Sequence, residues 1–189
     1  MITGSVRRGR FGPVVADWFA GQAKAHGGFE VEVVDLATVD LPLALPEVPP
    51  AMDPDPERPE GMLALTRALA EADAIVVVTP DYNRSIPGSL KQAVDWHFTE
   101  WQRKAIGFVG YSGASGGLLA IEHLRQIFNE LGAHTVRDHV SFPRYYEHFT
   151  ADGGWAAPEQ AGPEAEAMLA ELVWWGQALR AARGPWQRR

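Results

Sequence analysis

Three stretches of the chain carry residue types that can hold an anion and a flat polar ring. The first, Gly4-Ser5-Val6-Arg7-Arg8-Gly9-Arg10-Phe11-Gly12, combines a hydroxyl, three arginines and glycines at 4, 9 and 12. Between a strand and a helix it offers a phosphate several donors: backbone N–H groups, the positive end of the helix, the Ser5 hydroxyl and the Arg7 and Arg10 guanidinium groups. The second, Thr79-Pro80-Asp81-Tyr82-Asn83-Arg84-Ser85-Ile86-Pro87-Gly88, packs turn formers around one aromatic. A planar ligand needs that mixture: a ring for contact area, backbone polar groups for its edge, and prolines that keep the loop ordered before binding. The third, Gly110-Tyr111-Ser112-Gly113-Ala114-Ser115-Gly116-Gly117, is rich in glycine. It lets the backbone approach a flat ring, and the N–H groups of a helix start can stabilise negative charge on it. Each stretch alone also fits a plainer description as a strand-to-helix turn.

The spacing excludes two nucleotide motifs. Gly4 and Gly9 have Walker A separation, but Arg10-Phe11 stands where Lys-Ser/Thr is required, and glycines at 4, 9 and 12 do not make G-x-G-x-x-G. Gly113-Ala114-Ser115-Gly116-Gly117 formally matches the G-x-S-x-G elbow of a hydrolase, with Asp138 and His148 following in a possible order. No HGGG-type oxyanion loop accompanies it, and that assignment leaves the first two stretches unexplained. The histidines at 26, 97, 123, 134, 139 and 148 form no i, i+4 helical pair beside a glutamate, so no metal site is expected.

The rest of the composition agrees with a folded, anionic domain. At 189 residues, with 46% hydrophobic and 22% charged residues, the chain suits one domain, residues 1–189, with a substantial core. A net charge of −7 argues against chain-wide attraction to nucleic acid or an anionic membrane. Without cysteine there is no disulfide and no thiol nucleophile, which suits a cytoplasmic protein. No apolar run reaches the length of a membrane span, and no signal-peptide hydrophobic region opens the chain.

Periodicity supplies the elements that would position the three stretches. Residues 1–5 are the tail of a strand, 13–26 a helix, and Phe29, Val31, Val33 and Val34 a strand. A proline-rich loop then runs to about residue 60. Helical character over 61–72 leads into Ala74-Ile75-Val76-Val77-Val78, a β-branched run expected near the centre of a sheet covered on both faces. A helix over 88–98, a strand over 105–111, a helix over 118–131, a strand over 134–140 and a terminal helix over 164–183 follow. Trp174 and Trp175, with Leu172 and Leu179, read as that helix's buried face or a subunit contact, and Arg180, Arg183, Arg188 and Arg189 as a solvated basic tail. Five strands alternating with helices predict a parallel sheet whose ligand site lies beyond the strands' carboxyl ends, where all three stretches fall.

In combination, Gly4 to Arg10, Pro80 to Trp96 and Ser112 to Gly117 make the chain resemble the NAD(P)H-dependent FMN reductase family, which includes quinone, azo-dye and chromate reductases. The resemblance implies a flavodoxin-like three-layer α/β sandwich with a five-stranded parallel sheet. It implies that Ser5, Arg7 and Arg10, with Phe11 beside them, hold the FMN phosphate. By the same resemblance Pro80, Asp81, Tyr82, Asn83 and Ser85 line the isoalloxazine and ribityl chain, and Ser112, Gly113, Ala114 and Gly116 approach the pyrimidine edge. It further implies a homodimer or homotetramer, with the helix after the second stretch at the interface.

Three departures from the family pattern stand out. Asp81 replaces the usual Glu, Arg84 the usual Gly, and only Met1–Thr3 precede Gly4-Ser5, so the first strand reads as truncated, with a start upstream of Met1 as one explanation. The expected activity is electron transfer from NADPH or NADH through FMN to a small acceptor such as a flavin or quinone. Flavin carries that chemistry, so no catalytic side chain is assigned. A shallow site shared by donor and acceptor predicts ping-pong kinetics. The alternative is a flavodoxin-like electron carrier or regulatory module without significant NAD(P)H oxidation.

Overall fold

Alternation along one strand sets the layers. Strand β3, Ala74–Pro80, directs Ile75 and Val77 into one core and Ala74, Val76 and Val78 toward the other, as the two-residue period of a strand covered on both faces requires. In this computed structural model residues 1–53, 55–148, 150 and 154–183 are described. Around β3 lie β1 (Ile2–Thr3), β2 (Val34–Asp35), β4 (Ala105–Ser112), β5 (His134–Thr135) and β6 (Val140–Pro143). The helices are α1 (Gly12–His26), α2 (Leu63–Glu71), α3 (Gly88–Asp95), α4 (Leu118–Glu130) and α5 (Ala161–Arg183).

All pairings between named strands are parallel, in the order β2-β1-β3-β4-β5, with β6 also beside β4. This is the flavodoxin-like strand order. Helices α2, α3 and α4 bury Leu65, Leu69, Leu90, Val94, Ile121, Leu124 and Phe128 on one face. Helices α1 and α5 bury Val15, Phe19, Ala165, Met168 and Leu172 on the other. The three-layer sandwich expected from the resemblance is therefore present.

The expected last strand over 134–140 is divided. β5 pairs at Ala105 and Ile106, and β6 pairs from Val109 to Ser112, so both occupy one edge of β4. Between them, side chains draw the backbone out of the ladder. Arg125 donates to the Val136 and Arg137 carbonyls at 2.7 and 2.8 Å, and the Asp138 N–H donates to Glu171 at 3.1 Å. Strand β2 is shorter than expected because its pairing extends only to Ile2 and Thr3, leaving 29–33 outside the ladder. Ahead of Ile2, Ala74–Val76 of β3 pair with β4 alone among the described residues. That open edge, with 28–32, Met1 and α5, bounds a groove of about 850 Å³.

The terminal helix departs from expectation in two details. Leu172 is buried and Trp175 and Leu179 pack against the core, but Trp174 is 62% exposed, because adjacent residues on a helix face different directions. Arg180 and Arg183 are not simply solvated: both pair with Asp73, at 2.8 and 2.7 Å. Arg188 and Arg189 lie outside the described residues. Among the described residues no helix is long and apolar enough to cross a membrane.

Candidate active site

The parallel sheet brings the carboxyl ends of β1, β3 and β4 together, so the three loops that leave them converge. A cavity of about 140 Å³ lies there, lined by Ser5, Arg7, Arg10, Phe11, Pro80, Asp81, Tyr82, Tyr111, Ser112, Gly113 and Tyr145.

The first loop is anchored at its start and open beyond it. The Gly4 N–H donates to the Val78 carbonyl at 2.9 Å, and Ser89 of α3 donates to the Gly4 carbonyl at 2.7 Å. Val6, Arg7, Arg8 and Gly9 are exposed, and among the described residues their backbone N–H groups have no protein acceptor. Helix α1 starts with no side-chain cap and no acidic residue in its first turn, so its positive end is not neutralised locally. Arg10 is divided between two tasks. One terminal amine is ion-paired with Asp35 of β2, while its buried Nε has no hydrogen-bond partner among the described residues and the side chain lines the cavity.

The second loop closes on itself. Tyr82 and Ser85 exchange N–H to carbonyl bonds at 2.8 and 3.0 Å, and the two residues between them, Asn83 and Arg84, have φ of 52° and 67°. Two consecutive positive φ values inside a two-residue hairpin make a type I′ turn. The departure from Gly at 84 therefore keeps the turn and places an arginine in the left-handed region. Ser85 hydrogen-bonds His123 Nδ1 at 2.7 Å.

The third loop is tied to the second through polar side chains. The Asp81 carboxylate accepts the Ala120 N–H of α4 at 2.7 Å and a short hydrogen bond from the Ser115 hydroxyl. Ser115 contacts the Ser112 hydroxyl at 2.8 Å, which accepts the Gly117 N–H at 3.1 Å. The start of α4 is thus already capped by an anion. Gly116, at φ 64°, serves packing: a Cβ there would come 2.2 Å from Ser141 Oγ and 2.8 Å from the Pro143 nitrogen.

Of the residues assigned from sequence, Asn83, Ser85, Ala114 and Gly116 lie outside the cavity lining, and the others line it. Tyr111 and Tyr145 line it without having been singled out. Tyr111 could have been found as the only polar aromatic at the end of the β4 run, but Tyr145 sits past β6 in a segment with no periodic signal. Tyr145 stacks on Phe11 with ring centroids 4.5 Å apart, and Tyr111 meets both rings edge-on. Burial pushes the Tyr111 hydroxyl well above the usual phenol range.

The hydrolase constellation is not assembled, since the Ser115 hydroxyl faces Asp81 and Ser112 rather than a histidine. Among the described residues no cluster of His, Asp and Glu could hold a metal. The residues present do fit FMN. A volume of 140 Å³ lies below the roughly 300–1,000 Å³ of sites that enclose a drug-sized ligand, and with Arg7, Arg10 and Ser5 in its lining the cavity suits an anionic head group. The Cβ position of Gly113, also in the lining, has no neighbour within 4 Å.

Comparison with known proteins agrees. Residues 1–147 match the NADPH-dependent FMN reductase family. An NAD(P)H-dependent FMN reductase of Schizosaccharomyces pombe is 39% identical over 62% of this chain and 58% of its own length. A 2-hydroxy-1,4-benzoquinone reductase of a Burkholderia species is 35% identical over 67% of each chain, and a quinone reductase of Escherichia coli K12 is 36% identical over 70% and 69%. The chain thus spans between 58% and 69% of the length of these relatives. Among solved structures, FerB, a flavoenzyme NAD(P)H:(acceptor) oxidoreductase from Paracoccus denitrificans, superposes with a TM-score of 0.70 at 24% identity over 94% of this chain and 95% of its own. An apo NADH:FMN oxidoreductase, EMOB, gives 0.67 at 18% identity over 92% and 86%. On these matches and this fold, the chain belongs to the NADPH-dependent FMN reductase family.

Proposed function

We propose that this protein is an FMN-dependent oxidoreductase that passes electrons from NAD(P)H to a small acceptor, a quinone or a free flavin, by a ping-pong mechanism. The observation that carries this is the convergence of Ser5, Arg7 and Arg10 at the uncapped start of α1 with Tyr82, Ser112 and Gly113 around one open-sided cavity. Bound FMN supplies hydride acceptance and onward electron transfer. The chain's own residues bind and orient. Arg7, the Arg10 Nε, the Ser5 hydroxyl and the free amides of the first loop hold the phosphate. Tyr82, Pro80, Asn83 and Gly113 border the ring, and Asp81 fixes the second loop against α4. One open rim serves donor and acceptor in turn.

The chain acts as one FMN-binding domain and assembles as a homodimer or homotetramer through α3 and the loop before α2. Leu43, Leu45, Val48 and Met52 are exposed on that loop, which Gln92 and Trp96 tie to α3 through the Pro42 carbonyl at 2.6 and 2.9 Å. Use of a reduced nicotinamide nucleotide favours a cytoplasmic setting.

Titration with FMN should quench flavin fluorescence, and NADPH or NADH absorbance should fall with menadione or ferricyanide present, with parallel initial-rate plots. Intersecting lines count against a shared site. FMN binding without nucleotide oxidation by any acceptor replaces the enzyme with an electron carrier. Unchanged FMN affinity in the Arg7→Ala, Arg10→Ala double variant would remove the phosphate assignment.

A further inference from the structure

Tyr111 belongs to the core by its ring and to the cavity by its hydroxyl. The residue is 3% exposed, yet a Cβ placed on Gly12 would meet the Tyr111 hydroxyl at 2.9 Å, which puts that oxygen at the first residue of α1. Ser5, 1% exposed, contacts the Tyr82 hydroxyl at 2.8 Å, and the Tyr111 hydroxyl lies near Ser5, Tyr82 and the Arg7 charge. Three hydroxyls carry three protons, and the contact between Ser5 and Tyr82 uses one. At least one O–H donor therefore remains for a ligand in the cavity that Ser5, Tyr82 and Tyr111 line. Beside a guanidinium and an uncapped helix start, the acceptor that fits is an oxyanion.

We propose that the Tyr111 hydroxyl is a direct ligand of the FMN phosphate and a determinant of the preference for FMN over riboflavin. This rests on the FMN reading above and adds a residue from the end of β4 to a cradle otherwise built on the first loop. The donor is held by its own ring, which is wedged against Phe11 and Tyr145 at 5.8 and 5.5 Å, so it needs no reorganisation to meet the ligand.

The test is Tyr111→Phe, which keeps the ring and removes the donor. Apoprotein of wild type and variant is titrated with FMN and with riboflavin by fluorescence quenching, and the urea midpoint of each is recorded. The expected result is FMN affinity weakened about tenfold and riboflavin affinity unchanged, since a hydrogen bond to a charged group contributes about that much. Inorganic phosphate should compete with FMN in the wild type and compete less well in the variant. Equal loss for both flavins, or no loss for FMN, overturns the assignment. Failure of the wild type to bind either flavin overturns the FMN reading and this inference with it, whereas tight FMN binding by both proteins overturns the Tyr111 role alone. Should the variant lose its fold, FMN binding that inorganic phosphate does not weaken in the wild type overturns the proposal independently.

Discussion

The Asp81 carboxylate accepts the Ala120 N–H at 2.7 Å, joining the loop after β3 to the first turn of α4. The same carboxylate receives the Ser115 hydroxyl, so it ties the second loop to the third. Asp81→Ala removes an anion from a helix start and leaves that N–H without its partner. A loss of about 1–2 kcal/mol is expected from the urea midpoint at constant m. No change in midpoint would mean that the cap contributes nothing.

Arg84 sits at φ 67° in the type I′ turn. A non-glycine residue there costs about 1–2 kcal/mol, and glycine's extra unfolded-state entropy returns about 0.5–1 of it. Arg84→Gly should therefore stabilise the protein by up to about 1.5 kcal/mol, while Arg84→Val, β-branched and more strained, should destabilise it. Denaturation of the two variants checks the order, and the reverse order refutes the turn assignment.

Lys104 is buried, with its ammonium donating to the Leu69 and Ala70 carbonyls at the end of α2. Burial lowers its pKa from 10.5 to about 8. Between these values the unfolded chain holds a proton that the folded chain has released, so unfolding takes up a proton and this group's contribution to stability rises with pH. From pH 8 to 10 the wild type should gain stability relative to Lys104→Met. A constant difference between the two curves would show that the lysine titrates normally.

Arg58 and Glu100 form an ion pair at 2.7 Å with side chains 8% and 9% exposed. Arg58 also donates to the Trp96 carbonyl, and Glu100 accepts the Phe98 N–H. Removing one partner strands a buried charge, so Glu100→Leu should cost about 3–5 kcal/mol. Arg58→Met combined with Glu100→Leu should cost much less. A double-mutant cycle in thermal denaturation measures the difference, and simple additivity would mean the pair is uncoupled.

Much of the fold and the loop chemistry was legible because they depend on local pattern. The β-branched run at Ala74–Val78 became a central strand, since a segment apolar on both sides can only be satisfied between two layers. Periodicity likewise located α1, α4 and α5, and turn chemistry located the three loops at the strand ends. Which side chains share the cavity was not local. Tyr111 and Tyr145 enter it because β4 and β6 are neighbours in the sheet, a pairing between positions far apart in sequence. Asp81, assigned to the isoalloxazine and ribityl chain, lines the cavity and also caps α4, and Arg10 is shared with Asp35, because each finds an opposite charge or free N–H that only the folded chain places beside it. Residue type and spacing therefore determined the layers and the kind of ligand the loops could hold. Long-range pairing decided which polar groups remain free to hold it, since a donor already bonded within the protein is not available to a ligand.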